Sequence, residues 1–533
     1  MKNVRLNFIL LFIILFSTAL ISKLFSTQVL QADFYKALAQ GLNTFSNNEL
    51  QTERGKIFFK NGEYLAINKN WPLVFAYPPK ITEANSCAEI LSQILSLDKN
   101  FILEKLEKDT LYSPIKNKLN EEEVAALNAL DLDGIYLDFN RGRYYPQESL
   151  ASQTIGFLGA EGVGQYGLEE YYNKTLIDSG NGPDFFLTLD YNIQFTAEKL
   201  LQEAKEKLDI ESGQIIVIEP DSGKIIALAN FPNFNPNQYI DYATDGNLEI
   251  FENKTTQKLF EPGSIFKPIT MAIGIEEGKI TPQTTYIDKG VVKIGGWSIY
   301  NYELRVWGEK TMTEVLEKSI NTGAVFVQKK IPDSIFLNYL EKFGIFEPTG
   351  IDLPEVYSEN KQFKKGYEIN FATASFGQGI EMTPVQVVRA IGCIANGGKL
   401  VTPYLIEASS SSENEKQVIS QKTASQLTAM LVSSVENGYA KRAKLPGYYI
   451  AGKTGTSNIP FSNLGINKSG YSNKTWQSFI GWLPAFDPKF LILVKLDNPK
   501  AKAAGASTTL TARDLMKYIV NYYQIPPDYE ISP

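Results

Sequence analysis

The stretch that decides the reading is Leu259 to Thr270, LFEPGSIFKPIT. It sets Ser264 directly after a Pro-Gly pair and three residues ahead of Lys267. Pro262-Gly263 breaks whatever precedes it. The run after Ser264 can continue as a helix despite Pro268, because amides of the first turn have no intrahelical partner to lose. Ser264 then opens a helix, where free amides and the dipole favour developing negative charge. Ser264 and Lys267 lie one turn apart on one face.

The chain contains no histidine. That excludes Ser-His-Asp and Cys-His catalysis and every histidine-ligated metal site. The two cysteines, Cys87 and Cys393, are far apart and read as buried thiols rather than as a disulfide or metal pair. Acyl-transfer or hydrolytic chemistry must therefore run on Ser, Thr, Lys, Tyr or carboxylates. A lysine in a dry pocket can shed its charge and serve as base to a neighbouring hydroxyl. Spacing alone is weak support, since S-x-x-K recurs at Ser96/Lys99, Ser113/Lys116 and Ser358/Lys361.

An ordered set changes the weight. EKSINTGAV supplies Ser319 and Asn321, a hydroxyl and an amide able to relay a proton and hold a substrate carbonyl, although S-x-N also recurs at Ser46/Asn48 and Ser358/Asn360. AGKTGTS supplies Lys453, Thr454, Gly455 and Thr456, and K-T-G occurs once. On a strand, Lys453 and Gly455 face one way, Thr454 and Thr456 the other. Gly455 admits close approach of another segment or a substrate. The lysine and hydroxyls suit a terminal carboxylate, where an edge strand with a basic residue is the structural alternative.

With 533 residues the chain has room for two or three domains, and its 44% hydrophobic and 21% charged content is that of a globular protein. A formal charge of −7 gives no reason to expect nucleic acid as a partner. At the N-terminus Lys2 and Arg5 precede a nearly continuous apolar run from Leu6 to Ile21, and Leu6 to Leu24, with Lys23 at the far end, is the segment able to span a bilayer. At 1.5 Å per residue it extends roughly 28 Å, about the thickness of a bilayer core. The basic flank predicts a cytoplasmic N-terminus and an extracytoplasmic remainder. An uncleaved single-pass anchor is expected, with a cleaved signal peptide as the alternative.

Farther along, 51–70 reads as a hairpin around Asn61-Gly62. Residues 84–130 read as helical, and 141–176 as loops and short strands ending in a helix. Residues 213–232 predict two antiparallel strands around a Pro-Asp-Ser-Gly turn, and helices are expected to dominate 264–400. A Ser/Glu-rich surface loop is expected at 407–417, β structure at 447–457 and 476–499, and an amphipathic helix near 508–522. Strands at both ends of a helical middle predict a sheet assembled from distant segments and flanked by helices.

The triplet S-x-x-K, S-x-N and K-T-G is a signature of penicillin-binding proteins and their β-lactamase relatives. The missing Asp of S-D-N counts against a class A β-lactamase. From Arg54 onward the chain resembles the class B penicillin-binding proteins. The resemblance is carried by RGKIFFKNGEYLA, RGRYYPQESLASQTIGFLG, EPDSGKIIALANFPNFNPN, FEPGSIFKPIT, FGQGIEMTPVQVVRAIGCIANGG and SFIGWLPAFDP, with a departure at Ser152-Gln153, where relatives often carry histidine. It implies a multi-domain α+β chain. Residues 1–25 would be the anchor, 26–184 a mixed pedestal or dimerisation-like domain, 185–525 a penicillin-binding/β-lactamase-like transpeptidase domain with an antiparallel sheet, and 526–533 a tail.

It further implies a D,D-transpeptidase in which Ser264 attacks the D-Ala-D-Ala peptide of a stem, neutral Lys267 is the base, and Ser319 with its neighbours returns the proton. The amides of Ser264 and Thr456 would form an oxyanion hole, Lys453, Thr454 and Thr456 would engage the carboxylate, and no cofactor or metal is needed. Implied partners are peptidoglycan stem peptides on lipid-linked nascent glycan, β-lactams as inhibitors, and a polytopic SEDS-type glycan polymerase with other division or elongation membrane proteins. The septal, FtsI-type branch is favoured over the elongation branch. A β-lactam hydrolase, a β-lactam sensor and a non-catalytic wall scaffold are the alternatives.

Overall fold

Ser212–Ile218 and Ile225–Phe231 are rich in β-branched residues and pair antiparallel around a turn closed by Gly223 at φ +82°. They form one side of a five-stranded sheet in the computed structural model. Its order is Ala451–Pro460, Tyr471–Leu483, Phe490–Asp497, Ser212–Ile218, Ile225–Phe231, and every pairing is antiparallel. The early and late segments are thus joined, and the strand bearing Lys453 is an edge. The structure describes residues 2–32, 35–36, 39, 54–130, 132–159, 161–177, 182–407 and 416–530.

Alternation along the strands builds two cores. Ile215 and Val217 meet the helices Tyr191–Leu208 and Thr508–Tyr522 through Leu201, Leu515 and Ile519. Ile216 and Ile218 face the opposite core, which contains Ile269 and Ile273 of the helix Lys267–Glu276, Ile391 of Pro384–Ala395 and Leu427 of Gln421–Asn437. The expected sheet with flanking helices is therefore present, as is the C-terminal helix.

The helical reading of 264–400 fails between 285 and 311. Thr285–Asp288 pairs with Gly308–Thr311, and Val291–Ile294 pairs with Trp297–Tyr300. Gly290, Gly295 and Gly296 all adopt positive φ there and punctuate what would otherwise read as apolar periodicity. The helices Met312–Glu317 and Asn321–Lys329 follow.

Compactness separates the chain into a larger unit of 55–66, 145–176 and 183–533 and a smaller one of 1–54, 67–144 and 177–182. This differs from the linear division at 184/185, because the Asn61-Gly62 hairpin and the 145–176 segment bury Phe59, Leu65, Ile155 and Leu168 in the larger unit's core. Ser152 and Gln153 belong there too. Gln153 donates to the carbonyls of Pro232 and Ile250, at 2.9 and 3.0 Å.

Within the smaller unit, the helices Ala84–Leu95, Lys99–Leu106 and Glu121–Ala129 pack Leu91, Ile102 and Leu127 into a core with Val74 and Ile115. The helical expectation for 84–130 is corrected at Ser113–Asn117, an edge strand of the Tyr64–Ala76 strand, where Pro114 has no ladder amide to lose. Cys87 and Cys393 are both free and buried. The N-terminal helix Lys2–Phe25 supplies most of an unburied apolar span, Asn7–Leu30, with a mean hydropathy of 2.4. Residues 40–53, 178–181, the Ser/Glu-rich 408–415 and the last three of the tail lie outside the described residues.

Candidate active site

Gly263–Phe266 form a tight turn that runs straight into the helix Lys267–Glu276, with Pro268 inside its first turn. This places Lys267 Nζ 2.8 Å from Ser264 Oγ. The same nitrogen is 2.7 Å from the Ser319 carbonyl oxygen, 2.8 Å from Asn321 Oδ1 and 3.2 Å from Ser319 Oγ. Lys453 Nζ donates to Ser319 Oγ at 3.0 Å and to the Thr454 carbonyl at 2.9 Å. The three motifs, separated by up to 189 residues, thus converge on the Ser319 hydroxyl (453 − 264 = 189).

Ser264 is half-buried and Lys267 is fully buried. All four oxygens around Lys267 are uncharged, so desolvation, followed by repulsion from Lys453, drives its pKa well below the ordinary 10.5. Burial lowers Lys453 to about 7. Burial thus disfavours the charged form of both amines, and at Lys267 the neighbouring Lys453 adds to it. A neutral amine offers two N–H groups and one lone pair. Lys267 Nζ is placed to donate to Ser264 Oγ, and were it neutral, the Ser319 carbonyl and Asn321 Oδ1, which can only accept, would take its two N–H groups and leave the lone pair to the Ser264 hydroxyl. The other S-x-x-K lysines differ: Lys99 pairs with Glu89, Lys116 with Glu123 and Lys361 with Glu359.

The second motif carries strain. Ser319 sits at φ +53°, a left-handed conformation unfavourable for serine by about 1–3 kcal/mol, and it aims the carbonyl at Lys267. The third motif lies flat against the first. A Cβ on Gly455 would fall 2.6 Å from Ser478 Oγ, 3.0 Å from Ile265 Cγ2 and 3.1 Å from the Pro262 carbonyl, so glycine is required for the edge strand to reach the Ser264 turn. Lys453 pairs with Ile480 and Gly455 with Ser478, which confirms the expected alternation with Thr454 and Thr456 on the other face. Thr456 Oγ1 accepts from the Ala504 amide at 3.2 Å and retains its own proton to donate. Asn321 Nδ2 gives one N–H to the Tyr300 carbonyl at 3.0 Å, leaving the second for a ligand.

This constellation has a counterpart. Residues 213–517 match the family model of the penicillin-binding protein transpeptidase domain, well over half of the chain. The chain belongs to the penicillin-binding protein transpeptidases. Residues 49–181 match the penicillin-binding protein dimerisation domain, the pairing that defines class B members. Over 93% of its length, this penicillin-binding protein is 30% identical to stage V sporulation protein D of Bacillus subtilis, covering 82% of that protein. It is 28% identical to a peptidoglycan D,D-transpeptidase FtsI homolog of Mesostigma viride, with 97% and 96% covered. Penicillin-binding protein 3 of Mycobacterium tuberculosis shares the fold, with a TM-score of 0.69, 24% identity, and 90% and 98% covered.

Sequence reasoning passed over Glu261, although it lies inside the decisive stretch of this penicillin-binding protein. It is 6% exposed and accepts from the Gly379 amide at 2.9 Å and from Tyr471 Oη at 3.0 Å. Burial, with a smaller push from Glu381, raises its pKa to about 7. Glu261 fastens the segment before Ser264 to the 377–379 loop and to the strand after Lys453. Its only signal in the sequence is an acidic residue among apolar neighbours.

Proposed function

We propose that this penicillin-binding protein is a serine D,D-transpeptidase that cross-links peptidoglycan stem peptides. The observation that carries the reading is Lys267, fully buried among uncharged oxygens with its amine 2.8 Å from Ser264 Oγ and its pKa driven down by that burial. Lys267 takes the hydroxyl proton as Ser264 Oγ bonds to the penultimate D-Ala carbonyl. The tetrahedral oxyanion forms against the amides of Ser264 and Thr456. Donors of this kind are each worth roughly 2.7–4 kcal/mol when preorganised. Lys453, Thr454 and Thr456 hold the terminal carboxylate, and Lys453, with a proton affinity near neutrality when empty, gains its charge fully against that anion.

Collapse of the intermediate breaks the peptide bond. Ser319, in contact with both amines, passes a proton to the departing D-Ala nitrogen. An amine of a second stem then attacks the ester, its proton returns through Lys267, and Ser264 is released with the cross-link formed. A β-lactam acylates the same oxygen and is released slowly.

The apolar N-terminal helix supports a single-pass anchor. Lys2 and Arg5 support a cytoplasmic N-terminus, which places the catalytic unit outside the bacterial cell membrane. Residues 26–184 serve as the pedestal and 185–525 as the transpeptidase module. The partner is a SEDS-type glycan polymerase, and likeness to an FtsI homolog and to a sporulation protein favours the septal branch. The test is labelling of the full chain with a fluorescent penicillin, comparing wild type with Ser264→Ala. One labelled band that the substitution abolishes and that fades slowly is expected. Label persisting in the variant refutes Ser264, and rapid loss of label from the wild type indicates a hydrolase.

A further inference from the structure

Asp288 plays no part in the chemistry above, yet it is 2% exposed and its carboxylate is fully engaged. Oδ1 accepts from the Thr322 hydroxyl at 2.6 Å and from the Gly290 amide at 2.9 Å. Oδ2 accepts from Asn301 Nδ2 at 2.9 Å and from the Trp307 amide at 2.8 Å. Thr322 is the residue directly after Asn321 and lies in the first turn of the helix Asn321–Lys329. Its own amide donates to Asn301 Oδ1 at 3.1 Å, and Tyr286 Oη lies 3.2 Å from its hydroxyl.

These bonds replace something the second motif lacks. The helix has Ile320 at its N-cap, which gives no side-chain hydrogen bond, so an amide of its first turn is satisfied by Asn301 from outside. Ser319 is held at a positive φ that persists only when its surroundings impose it. The imposing contacts run from the two short strand pairs between 285 and 311: Asp288 and Asn301 grip Thr322, and the Tyr300 carbonyl grips Asn321. On the far side of the same four residues, the Ser319 carbonyl and Asn321 Oδ1 hold Lys267.

We propose that Asp288 is a positioning residue for acylation: through Thr322 it fixes the 319–322 segment so that the Ser319 carbonyl and Asn321 Oδ1 keep the Lys267 lone pair on Ser264. This rests on the reading of Ser264 as the acylated serine. The requirement is geometric. Loosening the segment leaves the ligand-facing groups present but lets the amine wander, so the rate constant of acylation falls while the preceding non-covalent affinity does not. Misplacement by about 1 Å can lower a rate by on the order of a hundredfold.

The experiment uses the full chain and a fluorescent penicillin, with the acylation rate constant and the non-covalent dissociation constant resolved by varying penicillin concentration. The variants are Thr322→Val, Thr322→Ser, Asp288→Asn and the Asp288→Asn/Thr322→Val double. Thr322→Val removes the hydroxyl without changing the volume and is the gentlest of the disruptive variants. We expect Thr322→Val and Asp288→Asn each to lower the acylation rate constant by about 10- to 100-fold with little change in dissociation constant. Thr322→Ser is expected to stay near wild type, and the double to fall no further than Asp288→Asn alone.

Rates within about twofold of wild type for Thr322→Val, with only its melting temperature lowered, overturn the proposal. So does a loss confined to the dissociation constant. If Asp288→Asn does not fold, the contrast between valine and serine at 322 decides. A wild-type chain that takes no label on Ser264 overturns the parent reading, and that outcome is distinct from labelling that is normal in wild type and in Thr322→Val alike.

Discussion

Replacing Lys453 by methionine tests the electrostatics of the cleft through stability rather than activity. The side chain is 1% exposed, and burial lowers its pKa from 10.5 to about 7. Its folded pKa is depressed, so between about pH 7 and 10.5 the unfolded chain keeps a proton that the folded chain has given up. Wild-type stability therefore rises with pH across that window. At 1.36 kcal/mol per pKa unit, burying this amine costs about 4 kcal/mol at pH 7 and a little over 1 kcal/mol near pH 9.5.

Methionine fills a similar volume with nothing to desolvate. It forfeits the bonds to Ser319 Oγ and the Thr454 carbonyl, worth together about 2 kcal/mol net. The variant is therefore expected to be more stable than wild type by about 2 kcal/mol at pH 7 and to lose that advantage, by about 3 kcal/mol, near pH 9.5. Denaturant unfolding of both proteins at the two pH values measures this, and penicillin labelling of the variant should be strongly reduced throughout. A stability difference that does not change with pH would show that Lys453 titrates as an ordinary lysine, and the reasoning would fail.

Glu261→Gln gives the opposite slope. The folded carboxyl, raised to about 7, keeps a proton that the unfolded chain has released above its ordinary 4.5, so wild type loses stability as pH rises from about 4.5 to 7. The variant should match wild type near pH 4.5 and exceed it above pH 7 in thermal unfolding. An advantage independent of pH contradicts this. Gly455→Ala forces a Cβ to within 2.6 Å of Ser478 Oγ and against the backbone before Ser264. The edge strand must move away, so labelling should slow by about tenfold or more while the helix content seen by circular dichroism stays unchanged. Labelling at the wild-type rate would mean that the strand has slack the contacts do not show.

The parts of the fold written in local pattern were legible. The β-rich apolar runs at Ile215–Ile218 and from Phe490 on, and the Asn61-Gly62 turn, predicted strands and a hairpin that the structure contains. The strand pairs between 285 and 311 were not, because glycines interrupt runs too short to distinguish a period of 2 from one of 3.6. Ser113–Asn117 was missed because its partner, Leu73 to Ala76, lies about forty residues away, and pairing rather than propensity makes it a strand. In the site, Ser264, Lys267, Ser319, Asn321 and Lys453 were legible because their spacing is fixed by chemistry. Glu261, Asp288 and Thr322 were not, because their role lies in contacts such as Asp288 with Thr322, 34 residues on, that no short pattern encodes.

The pH dependence of the acylation rate constant tests the central claim most directly, with Lys267→Met as the reference. A neutral, buried Lys267 predicts a rate that rises tenfold per pH unit at low pH and levels off well below 10.5, and a variant with almost no acylation. A rate still climbing at pH 10, or a Lys267→Met chain that acylates as fast as wild type, would contradict the account.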